Sequence, residues 1–189
     1  MLQRYERLES SMNGELAGLK ALVRTIPNFP KPGVMFRDIS TLFIDPWGMK
    51  HVIANLTEHY RDVGIDKVIG IESRGFIAGG ALAANLGCGF VMARKRGKLP
   101  GTVERVEYEL EYGKDCIEIH KDAISPGDRC LILDDLLATG GTSLATCRLA
   151  ERLGAKVIGC AFVINLPDLG GAKRLHDYPT HWLMEFAGD

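Results

Sequence analysis

Apolar positions along the chain switch between a helical and a strand period, and the switches outline an α/β fold. Leu16, Leu19, Val23 and Ile26 recur at helical spacing and predict an amphipathic first helix that stops before Pro27. Asp45-Pro46 sets an N-cap residue before proline at the first helical position, and Val52, Ile53, Leu56 and Tyr60 continue that second helix. Strand-like and helix-like runs then alternate: a short buried strand over 67–71, a small-residue helix over 76–86, and a strand over 90–93. A buried strand ending at Asp134-Asp135, a helix over 143–153 and a strand over 156–163 follow. Segments 108–112 and 116–120 flank Gly113-Lys114-Asp115 as a hairpin, Ser125-Pro126-Gly127-Asp128 makes a turn, and 181–186 reads as a last short strand. Such alternation predicts a twisted, mainly parallel sheet flanked by helices, Rossmann-like, with a small hood from the N- and C-terminal segments.

Two stretches break the pattern. Residues 28–39 hold two prolines and a glycine among apolar and charged residues, which rules out regular helix or central strand. A rigid, ordered loop is expected, with Phe36 and Arg37 available for contacts. Residues 94–101, Arg-Lys-Arg-Gly-Lys-Leu-Pro-Gly, are basic and punctuated by glycine and proline, and read as a mobile loop. Residues 1–12 carry mixed charges and little pattern, an extension of low importance to the fold. No linker, repeat or low-complexity tract divides the chain, so 1–189 is expected to be a single domain.

The 189 residues are 46% hydrophobic and 25% charged, with net charge −1. That balance excludes a general binder of nucleic acid or anionic membrane, and turns the basic cluster at 94–98 into a candidate site for a small anion. Five cysteines (Cys88, Cys116, Cys130, Cys147, Cys160) lie mostly in apolar segments without zinc-knuckle or redox spacing, and read as buried hydrophobes in a reducing compartment. The histidines are scattered, so no protein-built metal site is expected. With neither a signal region nor a membrane-length apolar run, a cytoplasmic location is expected.

Candidate chemistry concentrates in 131–142, Leu-Ile-Leu-Asp-Asp-Leu-Leu-Ala-Thr-Gly-Gly-Thr. An apolar strand, two acids, a Gly/Thr loop and a helix are the parts of an anion site at the carboxyl edge of a parallel sheet. Main-chain N–H groups converge there, and glycine lets a phosphate approach closely. Asp134 and Asp135 suit ribose hydroxyls or a hydrated Mg²⁺. The lysine of a Walker A loop is missing, so amides and hydroxyls alone would hold the phosphate.

Residues 132–142 resemble the phosphoribosyl-pyrophosphate signature of type I phosphoribosyltransferases. Residues 29–39, Ser73-Arg74-Gly75-Phe76, 94–101 and Leu110-Glu111-Tyr112-Gly113-Lys114 narrow the resemblance, in order and spacing, to the adenine phosphoribosyltransferase branch. It covers about 29–166. The resemblance implies that purine N9 displaces pyrophosphate from ribose C1 with inversion, giving AMP for purine salvage. It implies that Ala138, Thr139, Gly140, Gly141 and Thr142 cradle the 5-phosphate, that Asp134 and Asp135 meet the ribose hydroxyls, and that Mg²⁺ arrives with the substrate rather than on protein ligands. Ser73, Arg74, Arg94, Lys95 and Lys98 would bind pyrophosphate, Arg74 after a cis peptide between Glu72 and Ser73, where many members carry Asp instead of Glu72. Glu111 would handle the proton at purine N7, needing a raised pKa on loop closure, and Tyr112 would close over the site. Phe36 and Leu166 would sandwich the base while the backbone of Met35 and Arg37 reads the 6-amino edge. A homodimer is implied, with the basic loop near its interface.

A sister enzyme for xanthine or hypoxanthine is the nearest rival, and the 94–101 loop and the Leu-Glu-Tyr-Gly hairpin weigh against it. A phosphoribosyl-pyrophosphate-sensing regulator is the rival from another class. It would add a DNA-binding domain or a basic face, and the near-neutral chain shows neither.

Overall fold

The computed structural model of the protein describes residues 14–109 and 113–188. Helix α1 occupies 14–22 and buries Leu19. The helical period suggested by Ile26 does not continue: Arg24–Pro27 is a strand, β1, paired antiparallel with β2, Met35–Asp38. Thr25 and Ile26 are β-branched and suit the ribbon, where Ile26 lies opposite Phe36. The Asp38 carboxylate bonds the Arg24 guanidinium (Nε–Oδ2 3.2 Å) and the Ser40 amide (2.9 Å), which hold its pKa down at about 2. The expected loop over 28–39 is thus a connection followed by a strand. That ribbon stands apart from the main sheet.

Helix α2 (Ser40–Ile44) leads to α3 (Pro46–Tyr60), whose first turn is capped by the Asp45 carboxylate accepting from Gly48 N at 2.8 Å. Such a cap contributes about 1 kcal/mol. Val52, Ile53, Leu56 and Tyr60 line the buried face, as their spacing predicts.

The main sheet is built from β3 (Lys67–Ile71), β4 (Gly89–Lys95), β5 (Val103–Glu109), β6 (Lys114–His120), β7 (Arg129–Leu137), β8 (Lys156–Asn165) and β9 (Thr180–Glu185). Their order is β5-β6-β4-β3-β7-β8-β9. The pairs β3–β4, β3–β7, β7–β8 and β8–β9 are parallel, while the β5–β6 hairpin joins β4 antiparallel. Helices α4 (Gly75–Leu86), α5 (Gly141–Arg152) and the short α6 (Gly171–Arg174) connect the strands.

The continuous apolar run in β7 serves both faces. Leu131 and Leu133 join a core with α1, α3 and α4, whereas Cys130 and Ile132 join one with α5. All four are fully buried, and each Leu or Ile contributes about 1.5–3 kcal/mol, so β7 is firmly anchored where it meets the site. Four of the cysteines are buried, Cys88 is half-buried, and all five are free thiols.

Several boundaries differ from the sequence expectation for one reason, pairing with a neighbour. β7 does not end at its acids but runs through Asp134 and Asp135 to Leu137, because β8 pairs alongside as far as Leu137–Asn165. β4 takes in Arg94 and Lys95, which lie opposite Glu118 and Ile117 of β6. The stretch expected to be a mobile loop is a turn tied by Lys98 N–H to Lys95 C=O (3.2 Å) and Gly97 N–H to Glu118 (2.9 Å), and it buries Leu99.

Candidate active site

Because β3, β7 and β8 are parallel, their carboxyl ends open on one edge of the sheet, and the loops that follow converge there. Ala138, Thr139 and Gly140 turn the chain from β7 into α5. Gly140 is the N-cap in a left-handed conformation (φ 74°) that suits glycine, and no side chain caps the helix. The first-turn N–H groups are therefore available to an outside acceptor, with the helix dipole adding about 0.3–1 kcal/mol for an anion. Thr139 and Thr142 are half-buried beside them. A Cβ on Gly140 would stand 3.0 Å from the Gly171 carbonyl, so α6 packs directly behind this loop.

Arg74 is the N-cap of α4, just beyond the end of β3 and after a cis peptide between Glu72 and Ser73, as expected. Its Nε lies 3.1 Å from Asp135 Oδ2, and its guanidinium stands 5.4 Å from the centre of the Phe36 ring. One side chain thus touches the acid pair and the hood together. Asp135 is buried, and Asp134 is half-buried with its Oδ1 accepting from Asp135 N at 2.9 Å. Burial, with the Asp135 charge beside it, pushes the Asp134 pKa well above the ordinary carboxylate range, while Arg74 pulls the other way. Helix α4 reaches this close because Gly75 lacks a side chain: a Cβ there would meet Asp134 Oδ1 and the Leu133 carbonyl at 2.9 Å.

The basic residues are held by acids that the sequence reading did not single out for this. Arg94 Nε donates to Glu72 Oε2 at 2.8 Å, and the same oxygen accepts from Lys95 N at 3.1 Å. Lys95 Nζ ion-pairs with Asp115 and donates to the Tyr108 hydroxyl at 2.7 Å. Tyr108 in turn lies 3.0 Å from Thr142 Oγ1. Burial opposes the lysine's charge, yet Asp115 and Tyr108 hold its pKa above the ordinary value. Lys98 and Ser73 are exposed, and the Lys98 carbonyl accepts from Arg94 at 3.1 Å. Glu111 and Tyr112 lie outside the described residues.

The model of the phosphoribosyl transferase domain matches residues 39–182. The chain is 55% identical over 175 residues to the adenine phosphoribosyltransferase of Chlorobaculum tepidum, covering 90% of this chain and 99% of that protein. The crystal structure of the adenine phosphoribosyltransferase from Rhodothermus marinus superposes with a TM-score of 0.88 at 50% identity, covering 92% of this chain and 99% of that one. The Saccharomyces cerevisiae enzyme, crystallised with adenine and an imino-altritol bisphosphate, superposes at 0.84 with 40% identity over 90% and 99%. The chain belongs to the adenine phosphoribosyltransferases.

The residues expected at the base lie on β2 and just past β8. Met35, Phe36 and Arg37 form β2, and Phe29 meets Phe36 edge-on at 5.1 Å. Leu166 is buried just past β8, its N–H bonded to the Leu137 carbonyl at 2.9 Å, so it sits on the same edge as the loop from β7 into α5. The Arg37 side chain turns to Thr25 Oγ1 (2.8 Å) and the Ala187 carbonyl (3.3 Å). Sequence reading missed Glu72, Tyr108 and Asp115 as members of this site. No signal marked the last two, because the turn expected at 113–115 takes Asp115 out of the strand, whereas β6 starts at Lys114 and sets Asp115 opposite Tyr108. Glu72 offered none, since its reach to β4 depends on the sheet order.

Proposed function

We propose that this protein is the enzyme that transfers the 5-phosphoribosyl group from phosphoribosyl pyrophosphate to adenine, giving AMP and pyrophosphate in purine salvage. The observation that carries the reading is Arg74, whose guanidinium joins the acid pair after the strand core to the hood aromatic Phe36. A ribose-pyrophosphate substrate and a flat base need such a shared junction. Identity of about half with adenine phosphoribosyltransferases along nearly the full chain favours adenine over hypoxanthine or xanthine, and favours an enzyme over a sensing regulator.

In this reading the amides and hydroxyls of Ala138, Thr139, Gly140, Gly141 and Thr142 hold the 5-phosphate, and Asp134 and Asp135 accept from the ribose hydroxyls. Arg74, Ser73, Arg94, Lys95 and Lys98 receive the pyrophosphate, Lys95 exchanging Asp115 for the incoming anion. Phe36 and Leu166 enclose adenine, and the main chain of Met35 and Arg37 matches its 6-amino edge. An oxo group there would leave a buried donor or acceptor unpaired, at a cost of about 1–3 kcal/mol. The lone pair of N9 forms the bond to C1 as the bond from C1 to the pyrophosphate oxygen breaks. Glu111 takes the N7 proton in that direction and returns it as an acid in reverse, with Tyr112 closing over the pair.

Mg²⁺ belongs to the substrate in this scheme. Asp135 is already engaged by Arg74. The active form is a homodimer built on the exposed Ile77, Phe90 and Met92, with Phe76 meeting Phe90 edge-on at 6.0 Å to make the patch continuous between α4 and β4. We place the enzyme in the cytoplasm, where free thiols persist; among the described residues no helix is long and apolar enough to cross a membrane. Residues 1–189 act as one phosphoribosyltransferase unit, with 1–12 outside the reaction. Incubating the purified protein with phosphoribosyl pyrophosphate, Mg²⁺ and each of adenine, hypoxanthine, guanine and xanthine tests the reading. AMP from adenine alone is expected; IMP or XMP in its place would overturn it.

A further inference from the structure

The residues that follow β9 run past Leu166 and reach the β1–β2 ribbon. Phe186 N donates to the Asn165 carbonyl at 3.1 Å, immediately before Leu166. Two residues on, Gly188 N donates to Asp168 Oδ2 at 2.8 Å, just after it. Leu166 is thus bracketed by two attachments of one short strap. The other side of the strap faces the hood. The Ala187 carbonyl accepts from the Arg37 guanidinium at 3.3 Å, and that guanidinium lies 5.0 Å from the centre of the Phe186 ring. Lys20 Nζ of α1 approaches the same ring at 5.7 Å. Arg37 follows Phe36 in β2 and is itself steadied by Thr25 across the ribbon.

We infer that the C-terminal strap, with Phe186 as its central residue, is a positioning element that sets the separation of Phe36 and Leu166 and so the affinity for the purine base. The inference rests on the reading that these two residues enclose adenine. Phe36 rides on a two-stranded ribbon outside the main sheet, whereas Leu166 is fixed to the sheet through Leu137. A two-stranded ribbon is only marginally stable by itself, so something must tie it to the sheet at the pocket. Arg74 makes one tie, through Phe36. The strap makes another, independent of the phosphate loop and the acid pair. Residues holding a pocket in its binding geometry act by lowering the ordering cost of the ligand that enters it. Loosening the strap is therefore felt by adenine and not by phosphoribosyl pyrophosphate.

The full-length protein carrying Phe186→Ala, Phe186→Tyr or Asp168→Ala tests this, each cutting or keeping a different attachment. Phe186→Ala and Asp168→Ala should each raise the KM for adenine about ten-fold, with the KM for phosphoribosyl pyrophosphate unchanged. Phe186→Tyr keeps the ring and should restore the wild-type value. Amide hydrogen exchange without substrate should quicken over Met35–Asp38 in both alanine variants, a readout that does not depend on which base is used. Unchanged exchange there would overturn the inference, as would equal rises in both KM values or faster exchange with an unaltered KM for adenine. Failure of the wild-type protein to use adenine would instead count against the underlying reading, and the exchange experiment would still report on the strap.

Discussion

Tyr108 on β5 and Thr142 at the head of α5 share a hydrogen bond of 3.0 Å, and the same phenol accepts from Lys95 Nζ at 2.7 Å. The hairpin, the end of β4 and the start of α5 are thereby joined through one oxygen. Removing it should disturb the loop hydroxyl and the lysine together while leaving the hood untouched. Tyr108→Phe is expected to raise the KM for phosphoribosyl pyrophosphate about five- to ten-fold, the size of one or two lost hydrogen bonds, with the KM for adenine constant. Steady-state kinetics with each substrate varied in turn decides this, and a shift in the adenine KM of equal size would refute it.

The pairing of Arg74 with Asp135 sets a second expectation. Asp135 is buried, so Arg74→Ala leaves a carboxylate without its counter-charge, which destabilises by up to about 3–5 kcal/mol in a fully buried pair and less here, since Arg74 is partly exposed. Arg74→Ala should lower Tm, and adding Asp135→Asn should recover much of the loss while activity stays low. Thermal unfolding of the single and double variants measures it. Additive losses would show that the two residues do not compensate each other.

Much of this architecture is legible in the sequence because single segments dictate it. Asp45-Pro46 starts α3 where its capping chemistry demands, and the unbroken apolar run of β7 demands cover on both faces. Gly140 and Gly141 mark the turn into α5. What is not legible depends on partners distant in sequence. Val23 and Ile26 fit a helical period as well as a strand, and only pairing with β2 decides for the strand at Ile26. Lys95 reads as a loop cation until β6 lies beside it and brings Asp115 within reach. The strap at Phe186 was invisible for the same reason, since its partners are Asn165, Asp168 and Arg37.

In sequence Glu111 lies two residues past Glu109, the last residue of β5, and Tyr108 beside that strand end is bonded to Thr142. A carboxylate that exchanges a proton with N7 acts on the transition state more than on the bound substrate. Glu111→Ala should therefore lower kcat by roughly 10²–10⁴-fold with far less effect on phosphoribosyl pyrophosphate binding. Rapid-quench turnover beside equilibrium binding separates the two quantities. Equal losses in both would assign Glu111 to pocket shape.

Ile77, Phe90 and Met92 are exposed apolar residues on neighbouring elements, and a homodimer would cover them. Met92→Glu places a charge in that patch, where burial without a partner is costly. Sedimentation at micromolar concentration should find a dimer for the wild-type protein and a monomer for this variant. A wild-type monomer would sink the assignment.

Asp134 offers a pH test whose sign follows from its surroundings. Burial and the neighbouring Asp135 raise its pKa well above the ordinary 3.8, so the folded protein holds this proton more tightly than the unfolded chain does. A group of that kind contributes its stability below the ordinary value and loses it as pH rises through the folded value. Above the ordinary value this raised pKa is therefore a cost to the folded protein. Asp134→Asn keeps an oxygen to accept the Asp135 N–H (2.9 Å) and removes the charge. Its Tm should exceed that of the wild-type protein at about pH 7, and the advantage should shrink steadily towards about pH 4. Activity should fall at the same time if Asp134 accepts from the ribose, because a site built to hold charge sacrifices stability for function. Tm of both proteins across that range, with kcat at neutral pH, provides the check. A difference in Tm that does not vary with pH would mean that Asp134 titrates alike in the folded and unfolded chain.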